Sequence, residues 1–231
     1  MVRADEATKI GNLTGAKLLV TGSVFFVDDQ IYVGSKIIGT ETSRVVGASA
    51  KGDIEDKLGD IVEKPGKQVI ASIKKSSTKL VAKKVDFKSK LAAIKESIKG
   101  VKLPSVYVSV EEKHVGRTTF DPAAETELMY ALKECGFEVI DSDSGKPAQA
   151  DVVITGEGLS EYATRTGNLI SVKARLEVKA VQRKSDSVIA VDRRTRMAVD
   201  LGEQLAGKKA LQDAAREIAE RLIPEIAKKQ K

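Results

Sequence analysis

The chain has 231 residues, 42 % hydrophobic and 31 % charged, and 39 basic against 33 acidic side chains give a net charge of +6. This is the balance of a globular protein with a packed core, and no apolar run reaches the roughly 18 residues that a membrane-spanning helix needs. One cysteine, Cys135, excludes an internal disulfide, and one histidine, His114, excludes metal sites built on several imidazoles. The start, Met1-Val2-Arg3-Ala4-Asp5-Glu6, reads as lacking an export signal, which places the chain in the cytoplasm unless further residues precede it.

In chain order, a short helix is expected first, with Asp5 as its cap, Ala7, Ile10 and Leu13 as its apolar positions and Gly15 as its stop. Leu18 to Val24 reads as a strand, followed by a polar turn and a second strand-like run. A long helix then carries Leu58, Ile61, Val62, Pro65, Val69 and Ile73 on one stripe. Pro65, followed by Gly66, stands inside that stripe and is expected to kink or break the helix.

From Lys74 to Lys102, ten lysines face only Asp86 and Glu96. Phe87, Leu91, Ile94 and Ile98 recur at helical spacing within this stretch, so an amphipathic helix capped by Asp86 and ending near Gly100 is expected. Two readings stand side by side: a linker helix that packs its apolar stripe on a neighbouring domain, and a basic surface for an anionic membrane or partner. On the second reading Lys83, Lys84, Lys88, Lys90, Lys95 and Lys99 make the contacts.

Beyond it, Ser105 to Val110 is a strand. A helix capped by Asp121 with Pro122 in its first position runs to Cys135 and stops at Gly136, and Phe137 to Ile140 is a further strand. Ile170, Val172, Ala174, Leu176, Val178 and Ala180 then alternate with polar residues, the pattern of a strand with one buried face.

The chain contains an internal repeat. Leu18-Leu19-Val20-Thr21-Gly22-Ser23-Val24 matches Val152-Val153-Ile154-Thr155-Gly156-Glu157-Gly158, and the stripe from Leu58 to Ile73 matches Leu211, Ala214, Ala215, Ile218, Leu222 and Ile226 at one constant offset. Both units read β-β-β-α; only the second has the preceding β-α-β. The expected fold class is therefore α/β (α+β), two related units that each pack a mixed or antiparallel sheet with helices. The expected division is 1–76 for an incomplete unit, 77–102 for a basic linker and 103–231 for a complete unit. The Ser105 strand is expected beside the Val152 strand, which leaves the first unit's Lys17 to Val27 strand with an unpaired edge.

Patterns that carry chemistry are sparse. Gly156-Glu157-Gly158 lacks the third glycine and the helix of a dinucleotide site, so Gly22 and Gly156 read as places of strand bending or close approach. Asp141-Ser142-Asp143-Ser144-Gly145 lacks the closing ligands of a calcium loop and reads as a turn. His114 has no evident nucleophile as a partner, and Cys135, at a helix C-terminus, reads as a buried structural thiol. A non-enzyme without cofactor, metal or small-molecule substrate is expected. Aromatic residues at 4 % and the absence of tryptophan argue against base stacking, so specific nucleic-acid binding is not expected. A basic nucleic-acid or anionic-surface binder is the alternative function.

The stretch Thr8-Lys9-Ile10-Gly11-Asn12-Leu13-Thr14-Gly15-Ala16-Lys17-Leu18-Leu19-Val20-Thr21-Gly22-Ser23-Val24 resembles the CsgG family, the curli production assembly/transport components and related envelope lipoproteins. Ala150 to Gly158 and Gly167 to Arg175 resemble the same family, so both units are covered. The resemblance implies a periplasmic, outer-membrane-associated, non-enzymatic protein that self-associates or binds other envelope proteins in assembly or transport. The chain departs from it in lacking a lipobox cysteine and a lipid-facing strand pair, and in having Phe120 as the one aromatic of Glu111 to Phe120, where the channel's constriction loop would lie. The expectation is a soluble domain pair without a pore of its own.

Overall fold

The computed structural model describes residues 4–55, 58–82, 85–118, 121–143 and 145–229, and the chain divides into two units, Met1–Lys84 and Val85–Lys231. The first unit begins with helix α1 (Ala4–Thr14), ended by Gly15 at φ 72°. Asp5 lies within this helix rather than capping it. Of the expected apolar positions Ala7 is buried while Ile10 and Leu13 are exposed, and the helix also buries Gly11, where a Cβ would overlap the Thr40 side chain. The small residues make the contact because only they allow the helix to approach so closely.

Strands β1 (Leu18–Val27), β2 (Gln30–Gly39) and β3 (Val45–Asp53) follow as an antiparallel sheet in the order β1-β2-β3. A two-residue turn at Asp28-Asp29, with Asp28 at φ 51°, joins Val27 to Gln30 and fixes the β1–β2 register. Helix α2 (Leu58–Leu80) packs over β2 and β3 and buries Ile61 against Ile31 and Val33. It runs unbroken through Pro65, contrary to a break there. The proline is buried within the stripe, and Val62, expected on that stripe, faces solvent instead.

In the second unit, helix α3 (Phe87–Ser97) ends ahead of Gly100 and lies against the helices of the core, with Leu91 and Ile98 buried. Asp86 holds the cap position without a side-chain capping bond. Strand β4 (Ser105–His114), a two-residue β5 (Arg117–Thr118), helix α4 (Ala123–Glu134) and β6 (Glu138–Asp141) come next. A 3-10 turn (Pro147–Gln149) leads to the long antiparallel meander β7 (Val152–Thr166), β8 (Leu169–Gln182) and β9 (Ser187–Asp200). Helix α5 (Glu203–Lys228) closes the unit and contains Pro224 without interruption.

The sheet order is β5-β4-β7-β8-β9, with β6 parallel to β4 on the same side as β5. Strand β4 is parallel to β7, so the Ser105 strand does lie beside the Val152 strand. Helix α5 covers β7, β8 and β9 while α4 covers β4 and β6, giving one large core of Val106, Ile154, Leu176, Leu128, Leu211 and Ile218. Neither sheet closes on itself, and among the described residues no helix is long and apolar enough to cross a membrane.

Candidate functional site

Several repeat positions that are buried in the second unit are open in the first. Val20 is 49 % exposed where Ile154 is 0 %, and Phe26 is 62 % exposed where Ser160 is 4 %. On the helices, Val62 is 46 % and Ile70 57 % exposed where Ala215 and Ile223 are 0 % and 1 %. The cause is topological: in the second unit β4 pairs with the outer edge of β7 and α4 packs beside α5, whereas among the described residues β1 is paired on one side only, with β2, and α2 reaches β2 and β3. Val20, Val24 and Phe26 share the sheet face on which α2 packs, because Phe26 and Val24 stand opposite Ile31 and Val33 in register. On the opposite face Phe25, half exposed, stacks on Tyr32 at 5.8 Å, beside a groove of about 250 Å³ lined also by Gly34, Ser49 and Lys51.

The edge itself has a defined polarity. The amide of Thr40 donates to the Lys17 carbonyl, so odd-numbered residues of β1 turn their backbone groups toward β2. The N–H and C=O groups of Leu18, Val20, Gly22, Val24 and Phe26 therefore point outward. Such a row is a template for another strand.

Lys83 and Lys84 lie outside the described residues. Lys88, Lys95 and Lys99 are exposed along the outward stripe of α3 and the turn after it, while Lys90 pairs with Glu220 of α5 at 2.7 Å. Lys99 also pairs with Glu96 at 2.9 Å. Phe120 too lies outside the described residues.

The structure supplies partners that the sequence hid. His114 Nδ1 lies 2.9 Å from Ser160 Oγ and its Nε2 lies 3.3 Å from Glu203 Oε1, a serine, an imidazole and a carboxylate in series. His114 and Ser160 are far apart in the chain but stand in register across β4 and β7. Attack by a serine needs space about 3 Å from its oxygen for the reacting atom. Ser160 is buried beneath α5, where a Cβ on Gly207 would already stand 3.1 Å from Oγ. The cluster ties the end of β4 to the first turn of α5.

A second hidden arrangement sits at the start of α4. The buried Glu112 carboxylate accepts the amides of Ala123 at 2.9 Å, Ala124 at 2.6 Å and Glu125 at 3.2 Å, while Glu125 accepts the Val110 amide at 2.6 Å. Glu112 replaces the expected Asp121 cap; Pro122 holds the cap position and Asp121 pairs with Lys208. Burial pushes the Glu112 carboxyl above its ordinary range, against the three amides that pull it down. Cys135 is buried, its thiol 3.8 Å from the Leu91 carbonyl, and desolvation pushes it up. Gly156 is a place of close approach, where a Cβ would lie 2.6 Å from the Glu177 carbonyl oxygen; Gly22 is not, its nearest such neighbour being 3.5 Å away.

No protein-family model matches the chain. No curated protein matches it either. Among solved structures, the PelC dodecamer from Paraburkholderia phytofirmans is similar at 17 % identity and a TM-score of 0.34, over 52 % of this chain and 86 % of that one. A homolog of the neuraminyllactose-binding hemagglutinin from Helicobacter pylori is similar at 15 % identity and a TM-score of 0.35, over 57 % and 92 % of the two chains. The LpoB C-terminal domain from Salmonella enterica is similar at 12 % identity and a TM-score of 0.26, over 48 % and 98 %. These are partial likenesses at low identity, and none of the three is named as a curli component.

Proposed function

We propose that the protein is a non-enzymatic assembly or transport component of the bacterial cell envelope, of the CsgG-like kind that the sequence resembles, and that it works by binding protein without forming a pore of its own. The observation that carries this reading is the uncovered flank of the first unit: among the described residues no strand pairs with the outer edge of β1, and Val20, Val24 and Phe26 are exposed along it. Contiguous exposed apolar surface marks an interaction site, and a free edge adds directional hydrogen bonding to it. The buried Ser160 gives no support to hydrolysis. In cells that carry the gene, a tagged full chain is expected in the envelope fraction, within a cross-linked complex larger than one copy. Recovery as a free single chain in the cytosolic fraction overturns the reading.

A second reading, binding to an anionic surface, rests on the exposed Lys88, Lys95 and Lys99. It expects binding to anionic vesicles that falls steeply with salt and is lost when these three become glutamate. Sequence-selective DNA binding that survives high salt would replace both readings.

A further inference from the structure

We infer that the first unit pairs with the first unit of a second copy, β1 antiparallel to β1, about a two-fold axis at Ser23. This deepens the protein-binding reading above and rests on it. Several observations choose this occupant and this register.

Charge comes first. The ten residues of β1, Leu18-Leu19-Val20-Thr21-Gly22-Ser23-Val24-Phe25-Phe26-Val27, include no ionisable side chain, so the strand can face a copy of itself without repulsion. The second unit's free edge, β9, carries Arg193, Arg194 and Arg196, which blunt it against strand addition. The other edge of the first sheet, β3, already has α2 packed over it and exposes less apolar surface to gain by pairing.

Geometry then narrows the register. In antiparallel pairing about a two-fold axis normal to the sheet, both α2 helices stay on the same face. Residues directly opposite must also point to the same face, so the axis passes through a residue of β1 rather than between two. An axis at Ser23 sets Gly22 opposite the partner's Val24 and Val20 opposite the partner's Phe26. All of these have their backbone groups turned outward, so they exchange hydrogen bonds. This register keeps the nine residues Leu19 to Val27 paired within β1, where an axis at Val24 keeps seven and an axis at Gly22 opposes two glycines that bring no side-chain contact. The result is a six-stranded sheet in which Val20, Val24 and Phe26 of both copies fill the trough between two α2 helices. An interface of one strand pair and one apolar strip is at the small end of specific interfaces, so the dimer is concentration-dependent.

Ser23 is then opposite itself in a non-hydrogen-bonded pair, with Cα atoms about 4.5 Å apart, within disulfide reach. The full-length Ser23→Cys variant is expected to form a covalent dimer on mild oxidation, and buried Cys135 does not compete. Thr21→Cys and Phe25→Cys are expected to cross-link with each other in a mixture and neither with itself. Val24→Lys is expected to raise the dimer dissociation constant of the full chain at least about tenfold in sedimentation, because a charge on the edge opposes strand addition. Self-linking at Thr21→Cys with none at Ser23→Cys overturns the register. An associating wild type that is indifferent to Val24→Lys and gives no Ser23→Cys dimer overturns the β1 pairing while leaving the protein-binding reading intact. A wild type that stays monomeric up to high concentration, with no Ser23→Cys dimer, overturns self-association altogether.

Discussion

The two halves of the repeat share a Thr-Gly step, Thr21-Gly22 and Thr155-Gly156, yet alanine in place of the glycine should act with opposite sign in the two. In β7 an added methyl at Gly156 would stand 2.6 Å from the backbone oxygen of Glu177 and 2.9 Å from Val178 Cγ1. Gly156 pairs with Val178 in the middle of the β7–β8 ladder, so the methyl cannot turn away and the two strands must separate locally. Overpacking of this kind costs about 1–3 kcal/mol, and the reduced freedom of the unfolded chain returns roughly 0.4–1 kcal/mol. The net expectation for Gly156→Ala is a loss of about 1–2 kcal/mol, which for a unit of this size lowers the melting midpoint by roughly 2–8 °C. At Gly22 the nearest atom is the Gly34 oxygen at 3.5 Å, ordinary contact, and only the chain-entropy gain of roughly 0.4–1 kcal/mol remains. Hydrogen exchange read by mass spectrometry separates the units, with peptides of β7 and β8 reporting on one and peptides of β1 and β2 on the other. A Gly156→Ala protein whose β7 and β8 amides are as protected as wild type would refute the close approach.

The Asp151 carboxylate accepts the amide of Ser105 at 3.2 Å and its hydroxyl at 3.1 Å, and these bonds hold its carboxyl below the usual range. Its stabilisation is present above the ordinary carboxylate value and is lost as pH falls through the lowered one, so Asp151→Asn should flatten the acid limb of the second unit's stability in melts from pH 6 to 2. Val115, a β-branched residue at φ 49°, precedes Gly116 at φ 75° in the β4–β5 turn, and Val115→Asn should stabilise by about 1 kcal/mol in urea titration; no gain would show that the turn is unstrained. Pro65→Leu restores an amide and removes a ring from the interior of α2, so it should raise the first unit's stability by about 1–3 kcal/mol, and a lower midpoint would show that the packing of the buried ring outweighs the backbone cost.

What the sequence made legible was local or periodic. Alternation from Ile170 to Ala180, the stop at Gly15 and the stripe from Leu211 to Ile226 each announce their element because the pattern and the structure share one period. Pairing β4 with β7 followed from one topological rule, that a parallel crossover keeps its strands adjacent or nearly so. The misses needed tertiary register. Asp121 has the right residue type and position for a cap, yet Glu112 takes the work because β4 ends over the start of α4, and no spacing rule links residue 112 to residue 123. His114 finds Ser160 and Glu203 by the same kind of long-range register. In α1, helical period singled out Ala7, Ile10 and Leu13, and of these Ala7 is buried, because a close approach to Thr40 selected the face that Ala7 shares with Gly11.

The repeat also shows two departures from the ordinary sorting of residues by polarity, and they sit at equivalent positions. Ser160 is a buried hydroxyl, and Phe26 an exposed aromatic. The first is accounted for inside its own unit, since His114 bonds to it and Glu203 bonds to His114 in turn. The second has no such account, because among the described residues no strand pairs with the outer side of β1 and α2 packs over β2 and β3. A single lysine on β1 would blunt the edge, and the chain has lysines in number elsewhere. Where a sheet edge stays open in the second unit, the sequence places Arg193, Arg194 and Arg196 along it. The contrast within one chain argues that β1 is kept apolar because something covers it in the working protein, and its freedom from charge makes a second β1 a fitting cover.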